Sequence, residues 1–257
     1  RGRGREVLRP VRGATYRRTP SGRSRSIDYR LSNHSSAWLA MFEVVTLCLL
    51  AAGDWPQFRG PLADGSAPGA RPPLVWSETS HVAWKTPLPG LGWSSPVVVD
   101  GRVYVTTAVS TDPGLSLRVL ALDAETGRIL WDQEVRRVDE TPAIHAKNSH
   151  ASPTPIVHEG AVYAYFGPLG LWRLAASDGA VKWTCRELEY PPLHGSGGSP
   201  VLHEGKLIVV CDGSVDPFVA AVDAATGRVA WKTPRSVPAR ISHSFGTPAL
   251  ATVDSNG

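Results

Sequence analysis

Across 257 residues, 27 Lys and Arg stand against 23 Asp and Glu, and the small basic excess sits at one end of the chain. Residues 1–40 hold ten arginines against Glu6 and Asp28, a net of +8, which leaves −4 on residues 41–257. A folded part of that charge lacks the basic stripe that a phosphate backbone requires, which argues against nucleic acid as a partner. The three cysteines form no framework of spaced pairs, and Cys185 and Cys211 read as small buried hydrophobes on strands of adjacent repeats.

In chain order, residues 1–40 are rich in Arg, Ser, Gly and Pro and predict a disordered leader, or an upstream frame ahead of a true start at Met41. Residues 41–53 resemble a signal peptide: Val44 to Leu50 is apolar, Ala51-Ala52-Gly53 supplies small residues for cleavage, and the run is too short to span a bilayer. Glu43 departs from that pattern, and a buried strand over residues 44–52 is the alternative. Residues 54–73 have many turn formers and little periodicity, and predict an extended N-terminal arm. Residues 74–257 then carry a repeat.

The repeat is plainest at Ala121-Leu122-Asp123-Ala124-Glu125-Thr126-Gly127-Arg128-Ile129-Leu130-Trp131, which returns almost unchanged from Ala221 to Trp231. A worn copy, Leu174 to Trp183, keeps Gly179 four residues before its tryptophan, as Gly127 precedes Trp131 and Gly227 precedes Trp231. Period-2 alternation before the turn and a short apolar return after it predict a hairpin, with the aspartate as a turn acceptor and the glycine at positive φ. A hairpin cannot bury an indole alone, so each tryptophan should pack on a neighbouring copy.

A second element precedes each copy. Ser95-Pro96 to Val105, Thr154-Pro155 to Ala164 and Ser199-Pro200 to Val209 each read as strand, acidic residue, glycine turn and returning strand. Together they make a four-stranded unit the size of a propeller blade, over about residues 91–135, 151–188 and 197–235. Trp84-Lys85-Thr86-Pro87 is identical to Trp231-Lys232-Thr233-Pro234 and predicts an outermost strand without its own blade. Ser244 to Val253 begins a fourth first strand. The expectation is all-β: a partial β-propeller of three four-stranded antiparallel blades, an orphan outer strand and a C-terminal stub, a fragment of a larger ring.

The pattern Leu/Val-Asp-Ala-x-Thr-Gly-x-x-x-Trp resembles the tryptophan-docking repeat of pyrroloquinoline quinone (PQQ) type propellers. With Asp54-Trp55-Pro56-Gln57-Phe58-Arg59-Gly60-Pro61, Lys147 to Pro155 and Cys211-Asp212-Gly213-Ser214, the chain looks like an exported bacterial PQQ-binding-like repeat family. That family is similar to the B subunit of the outer-membrane β-barrel assembly machinery. The repeat is specific for fold and uninformative about activity, because enzymes and non-enzymes both carry it. PQQ with Ca²⁺ is implied by the resemblance alone, and the adjacent cysteine pair of quinoprotein alcohol dehydrogenases is missing here.

Residues just ahead of each first strand should ring one mouth of the central channel. Trp93, His150, His194 and His243 stand at similar offsets before the Ser/Thr-Pro pairs, with Lys147 and Asn148 beside them. An imidazole and indole ring of this kind would stack on a planar ligand. The same residues would equally serve to hydrogen-bond loops between blades. No close-spaced histidine pair supports a metal site. Asp212 is the one weak candidate for a catalytic base, and its Asp-Gly-Ser neighbours favour a turn aspartate instead. These observations favour a non-catalytic binding or scaffold module in the cell envelope, periplasmic or otherwise outside the cytoplasm, with a protein or envelope polymer as partner. The alternatives are a PQQ-dependent dehydrogenase-like quinoprotein, or its inactive quinone-binding descendant.

Overall fold

Three antiparallel sheets follow one another along the chain. The structure is a computed structural model and describes residues 53–235 and 244–251. The Arg-rich leader, the apolar run at 44–52, Cys48, His243 and the end of the C-terminal stub lie outside the described residues. The first sheet has the order β1-β2-β3-β4, from β1 (Val97–Val99), β2 (Arg102–Ser110), β3 (Leu115–Asp123) and β4 (Ile129–Val138). The second comprises β5 (Ile156–His158), β6 (Ala161–Tyr165), β7 (Leu171–Ala175) and β8 (Val181–Cys185), with a 3₁₀ turn at Gly167–Leu169. The third comprises β9 (Val201–His203), β10 (Lys206–Cys211), β11 (Phe218–Asp223) and β12 (Val229–Pro234). The described residues are thus all-β, a partial propeller of three four-stranded blades.

Turn chemistry sets the registers. The β1–β2, β5–β6 and β9–β10 connections are Asp100-Gly101, Glu159-Gly160 and Glu204-Gly205, and the acidic residue as well as the glycine has positive φ (50°, 46° and 45°). Two left-handed residues in succession match the right-handed twist of the flanking strands. In the repeat hairpin, Asp123 Oδ1 accepts from Thr126 N at 2.8 Å and Thr126 Oγ1 at 2.7 Å, and Asp223 accepts from Thr226 at the same distances. The Thr126 and Thr226 hydroxyls hold the Asp123 and Asp223 carboxyls below the ordinary carboxylate range. The worn copy shifts this duty to Asp178, which accepts from Ala180 N at 2.9 Å.

Two apolar cores lie between the blades. One joins Tyr104, Leu117 and Val119 of blade 1 to Val162, Trp172 and Leu174 of blade 2, and the other joins Tyr163 and Leu171 of blade 2 to Leu207, Val209 and Val222 of blade 3. Trp131 and Trp183 each dock one blade onward, whereas Trp231, with no further blade after it among the described residues, is exposed. Trp131 Nε1 donates to Ala176 O at 3.2 Å, and Trp183 Nε1 donates to Ala224 O at 3.1 Å. The ring lies on the turn glycine of the receiving blade, where an added Cβ would stand 2.7 Å from the Trp131 ring at Gly179 and 2.6 Å from the Trp183 ring at Gly227. Trp84 belongs to no sheet, yet its indole fills the same role on blade 1, with Nε1 donating to Ala124 O at 3.0 Å.

A second inter-blade link runs through the Ser/Thr-Pro pairs. Ser95 N donates to Thr154 Oγ1 at 3.0 Å, Thr154 N to Ser199 Oγ at 2.9 Å, and Ser199 N to Thr247 Oγ1 at 3.0 Å. Thr247 therefore continues the series beyond blade 3. Thr154→Val removes the acceptor of a shielded amide and is expected to cost about 1–3 kcal/mol in urea unfolding, whereas Thr154→Ser, the residue used at position 199, should restore most of it. Equal loss in both variants would show that the hydroxyl is not the link.

Candidate functional site

Antiparallel pairing brings the start of each first strand to the same end of its blade as the end of the second, so the loops before β1, β5 and β9 gather at one mouth. Trp93 and Ser94 both donate backbone N–H to Ala151 O at 3.1 Å, bracing blade 1 on blade 2, while the Trp93 indole is 57% exposed. Lys147 is exposed, and its backbone N–H donates to His145 Nδ1 at 3.1 Å.

Asn148 is spent on the fold. Its Nδ2 donates to His194 O at 2.8 Å and Ser196 O at 3.2 Å, and its Oδ1 accepts from Ser149 N at 2.8 Å and Ser152 Oγ at 2.6 Å. Gly195 permits this approach, since a Cβ there would lie 2.8 Å from Asn148 Nδ2. His150 Nε2 lies 2.9 Å from Pro142 O; a carbonyl only accepts, so that nitrogen carries the proton. The His194 ring meets His145 edge-on at 5.3 Å and stacks on Phe245 at 6.2 Å between centroids. Of the six mouth residues expected from the sequence, Asn148 and His194 are joined directly, while Trp93 and His150 are tied to other loop backbone. His243 falls outside the described residues.

Asp212, the weak candidate base of the sequence, is bonded within the protein. Its side chain is 2% exposed and receives the Arg235 guanidinium on Oδ1 and, on Oδ2, Ser244 N at 3.0 Å and Ser244 Oγ at 2.6 Å. The carboxylate ties the end of β10 to the residues after β12 and to the start of the next segment. No short motif marks this bracket, because its three members come from separate segments.

A polar cluster lies between blades 2 and 3. Tyr190 Oη and Ser196 Oγ are 3.0 Å apart, and Tyr165 Oη is 3.6 Å from Cys211 Sγ. Burial raises the Tyr165 and Tyr190 phenols, and burial pushes the Cys211 thiol up to about 12. A buried thiol held protonated in this way is a poor nucleophile at neutral pH. Cys185 and Cys211 are both free and buried, as small hydrophobes in the second core.

Ca²⁺ with PQQ needs several carboxylate or amide oxygens converging on one point and a free carboxylate base. Among the described residues no group of three His, Cys, Asp or Glu side chains is placed to hold a metal. The Asn148 oxygen and both Asp212 oxygens are already bonded within the protein. The described residues therefore do not fit that cofactor.

Three four-stranded sheets, the first gripping the second and the second the third by an indole laid on a turn glycine, define a partial β-propeller of PQQ-type repeats. The family model described as outer membrane protein assembly factor BamB matches residues 74–256, and the chain belongs to that family. Among curated relatives, an assembly factor BamB from Moranella endobia (strain PCIT) is 31% identical over 157 residues, covering 61% of this chain and 33% of the relative. The dehydrogenase subunit of a quinone alcohol dehydrogenase from Gluconacetobacter polyoxogenes is 30% identical over 155 residues, covering 54% of this chain and 19% of the relative. Among solved structures, quinohemoprotein alcohol dehydrogenase ADHIIG from Pseudomonas putida HK5 aligns at 26% identity and a TM-score of 0.44, covering 59% of this chain and 22% of that one. BamB from Moraxella catarrhalis aligns at 22% identity and a TM-score of 0.37, covering 58% and 41% respectively. The chain spans about a fifth to a third of the length of these curated relatives.

Proposed function

We propose that this chain contributes blades to an exported, non-catalytic propeller whose braced mouth is a rigid platform for a protein or an envelope polymer. The observation that carries this reading is the direction of bonding at the mouth: Asn148, His150 and Asp212 turn their polar atoms onto the protein's own backbone and side chains. What remains at the surface includes apolar Leu91, Trp93, Leu193 and Phe245, 60%, 57%, 48% and 48% exposed. A stiff scaffold displaying aromatic and aliphatic groups suits macromolecular contact better than proton transfer. Membership of a family described by an assembly factor supports the same reading. No helix among the described residues is long and apolar enough to cross a membrane. Export rests on the apolar run at 44–52 and its small residues, and the mature N-terminus is expected at Gly53 or Asp54.

The test places a photo-cross-linking amino acid at Trp93 or Lys147 in the cells that make the protein, with exposed Lys182 on β8 as control. Discrete adducts from the mouth positions and none from the control are expected. Absence of mouth adducts overturns the platform. A shifted cofactor absorbance with alcohol-dependent dye reduction, on adding PQQ and Ca²⁺, overturns the non-catalytic reading in favour of a quinoprotein.

A further inference from the structure

The segment following Gly53 is bonded to the inner strands rather than to a sheet of its own. Val98, in the middle of β1, turns its N–H and C=O away from β2, and Trp55 takes both: Trp55 N donates to Val98 O at 2.7 Å and Val98 N donates to Trp55 O at 2.9 Å. One residue on, Pro56 O accepts from Val157 N of β5 at 2.8 Å. Asp54 Oδ1 accepts from Asp100 N at 3.3 Å, fixing the start of the segment at the β1–β2 turn. The chain then bends back at Arg59 and Gly60, both at positive φ, and the Trp55 ring lies on Gly60, where an added Cβ would stand 2.6 Å away. Around the bend, Gln57 to Asp64 faces Pro200–Leu202 and Gly246–Leu250 across a cleft of about 690 Å³.

These attachments are few beside the blade ladders. β2 and β3 pair over nine residues, whereas the arm meets the inner edges through an isolated bridge and one further bond, and residues 61–75 are exposed. A segment held this lightly opens at lower free energy than the sheets it covers. Its departure would leave the N–H and C=O of Val98 and the N–H of Val157 unpaired on neighbouring strand edges, which is a template for another extended chain.

We propose that Asp54–Asp64 is a strap that occupies, in cis, a binding site for extended polypeptide backbone on the inner edges of β1 and β5. While the strap is seated the site is withheld, and access along the axis is confined to the cleft beside β9. A tethered strap acts at an effective concentration of order millimolar, so a competing peptide gains the site only when the strap is loosened. The inference stands apart from what the mouth binds, because its test uses the full chain alone and one peptide.

The experiment follows amide hydrogen exchange in the full chain and in two variants, Gly60→Val, which forces a side chain into the Trp55 ring, and Trp55→Ala, which removes the ring. In the unsubstituted protein Val98 and Val157 are protected. Either folded variant should exchange both amides at least about tenfold faster, while Val162 and Leu174 in the β6–β7 ladder keep their rates. A synthetic peptide of residues 54–65, added at about millimolar concentration, should restore protection in the variant and leave the unsubstituted protein unchanged. Unchanged exchange at Val98 and Val157 in the variants, or equal acceleration across all three blades, overturns the separable strap. Fast exchange that the peptide does not slow overturns the peptide site.

Discussion

Trp183→Ala is expected to lower stability by about 3 kcal/mol, read as a fall of about 6–12 °C in melting temperature for a chain of this size. The side chain stands partly buried against the second core, pairs with Tyr163 at 6.1 Å between ring centroids, and donates Nε1 to Ala224 O. Its removal strips apolar contact from the seam between blades 2 and 3 and leaves that carbonyl without its indole donor. Gly227→Ala strikes the same seam from the other side, because its Cβ would stand 2.6 Å from the indole on a backbone at φ 74°. Left-handed φ costs about 1–2 kcal/mol for a residue with a Cβ, and the forced overlap about 1–3 kcal/mol more. In the double variant the overlap disappears and only the φ strain remains. The combined loss should therefore fall short of the sum by about 1–3 kcal/mol, and strict additivity would show that the indole does not rest on the glycine.

Asp212→Ala is expected to cost about 2–4 kcal/mol in urea unfolding and to release the segment from Ser244 onward. Breaking a buried ion pair by deleting one partner costs about 3–5 kcal/mol, and the lower range applies because the Arg235 side chain is 30% exposed and keeps some hydration. Asp212→Asn retains an oxygen for Ser244 and loses the charge facing Arg235, so its loss should be about half as large. Amide exchange at Ser244, which donates to Asp212 Oδ2 at 3.0 Å, should accelerate in the alanine variant ahead of the β10–β11 ladder. A variant with unchanged stability would remove Asp212 from the structural role and return it to the list of candidate bases.

The tryptophan repeat was legible because it is a local pattern with a physical requirement. Asp-x-x-Thr-Gly closes a turn through bonds within five residues, and an indole four positions later must find apolar cover outside its own hairpin. Even the worn copy was readable, since Gly179 and Trp183 keep their spacing although Asp178 has replaced the usual acceptor. That the loops before β1, β5 and β9 lie at one end of their blades was legible, because strand order alone sets it. Their duties were not. Nothing near Asn148 in the sequence shows that its amide bonds to His194 and Ser196, residues 46 and 48 positions later. The partners of Asp212 were hidden for the same reason: Asp-Gly-Ser reads locally as a turn, while Arg235 and Ser244 reach the carboxylate from outside that window. The Ser/Thr-Pro pairs were read as strand starts, and their hydroxyls turned out to accept from the preceding blade.

The amino-acid order by itself determined the all-β class, the blade count over residues 97–234 and the indoles that leave blades 1 and 2, because those follow from turn chemistry and period-2 patterning within tens of residues. Only the tertiary structure decided which carbonyl each indole meets, which polar groups are consumed between blades, and that Trp55 lies along β1. Hydrogen-bond capacity is shared among residues about 40 to 60 positions apart, and no local pattern records how that sharing is settled.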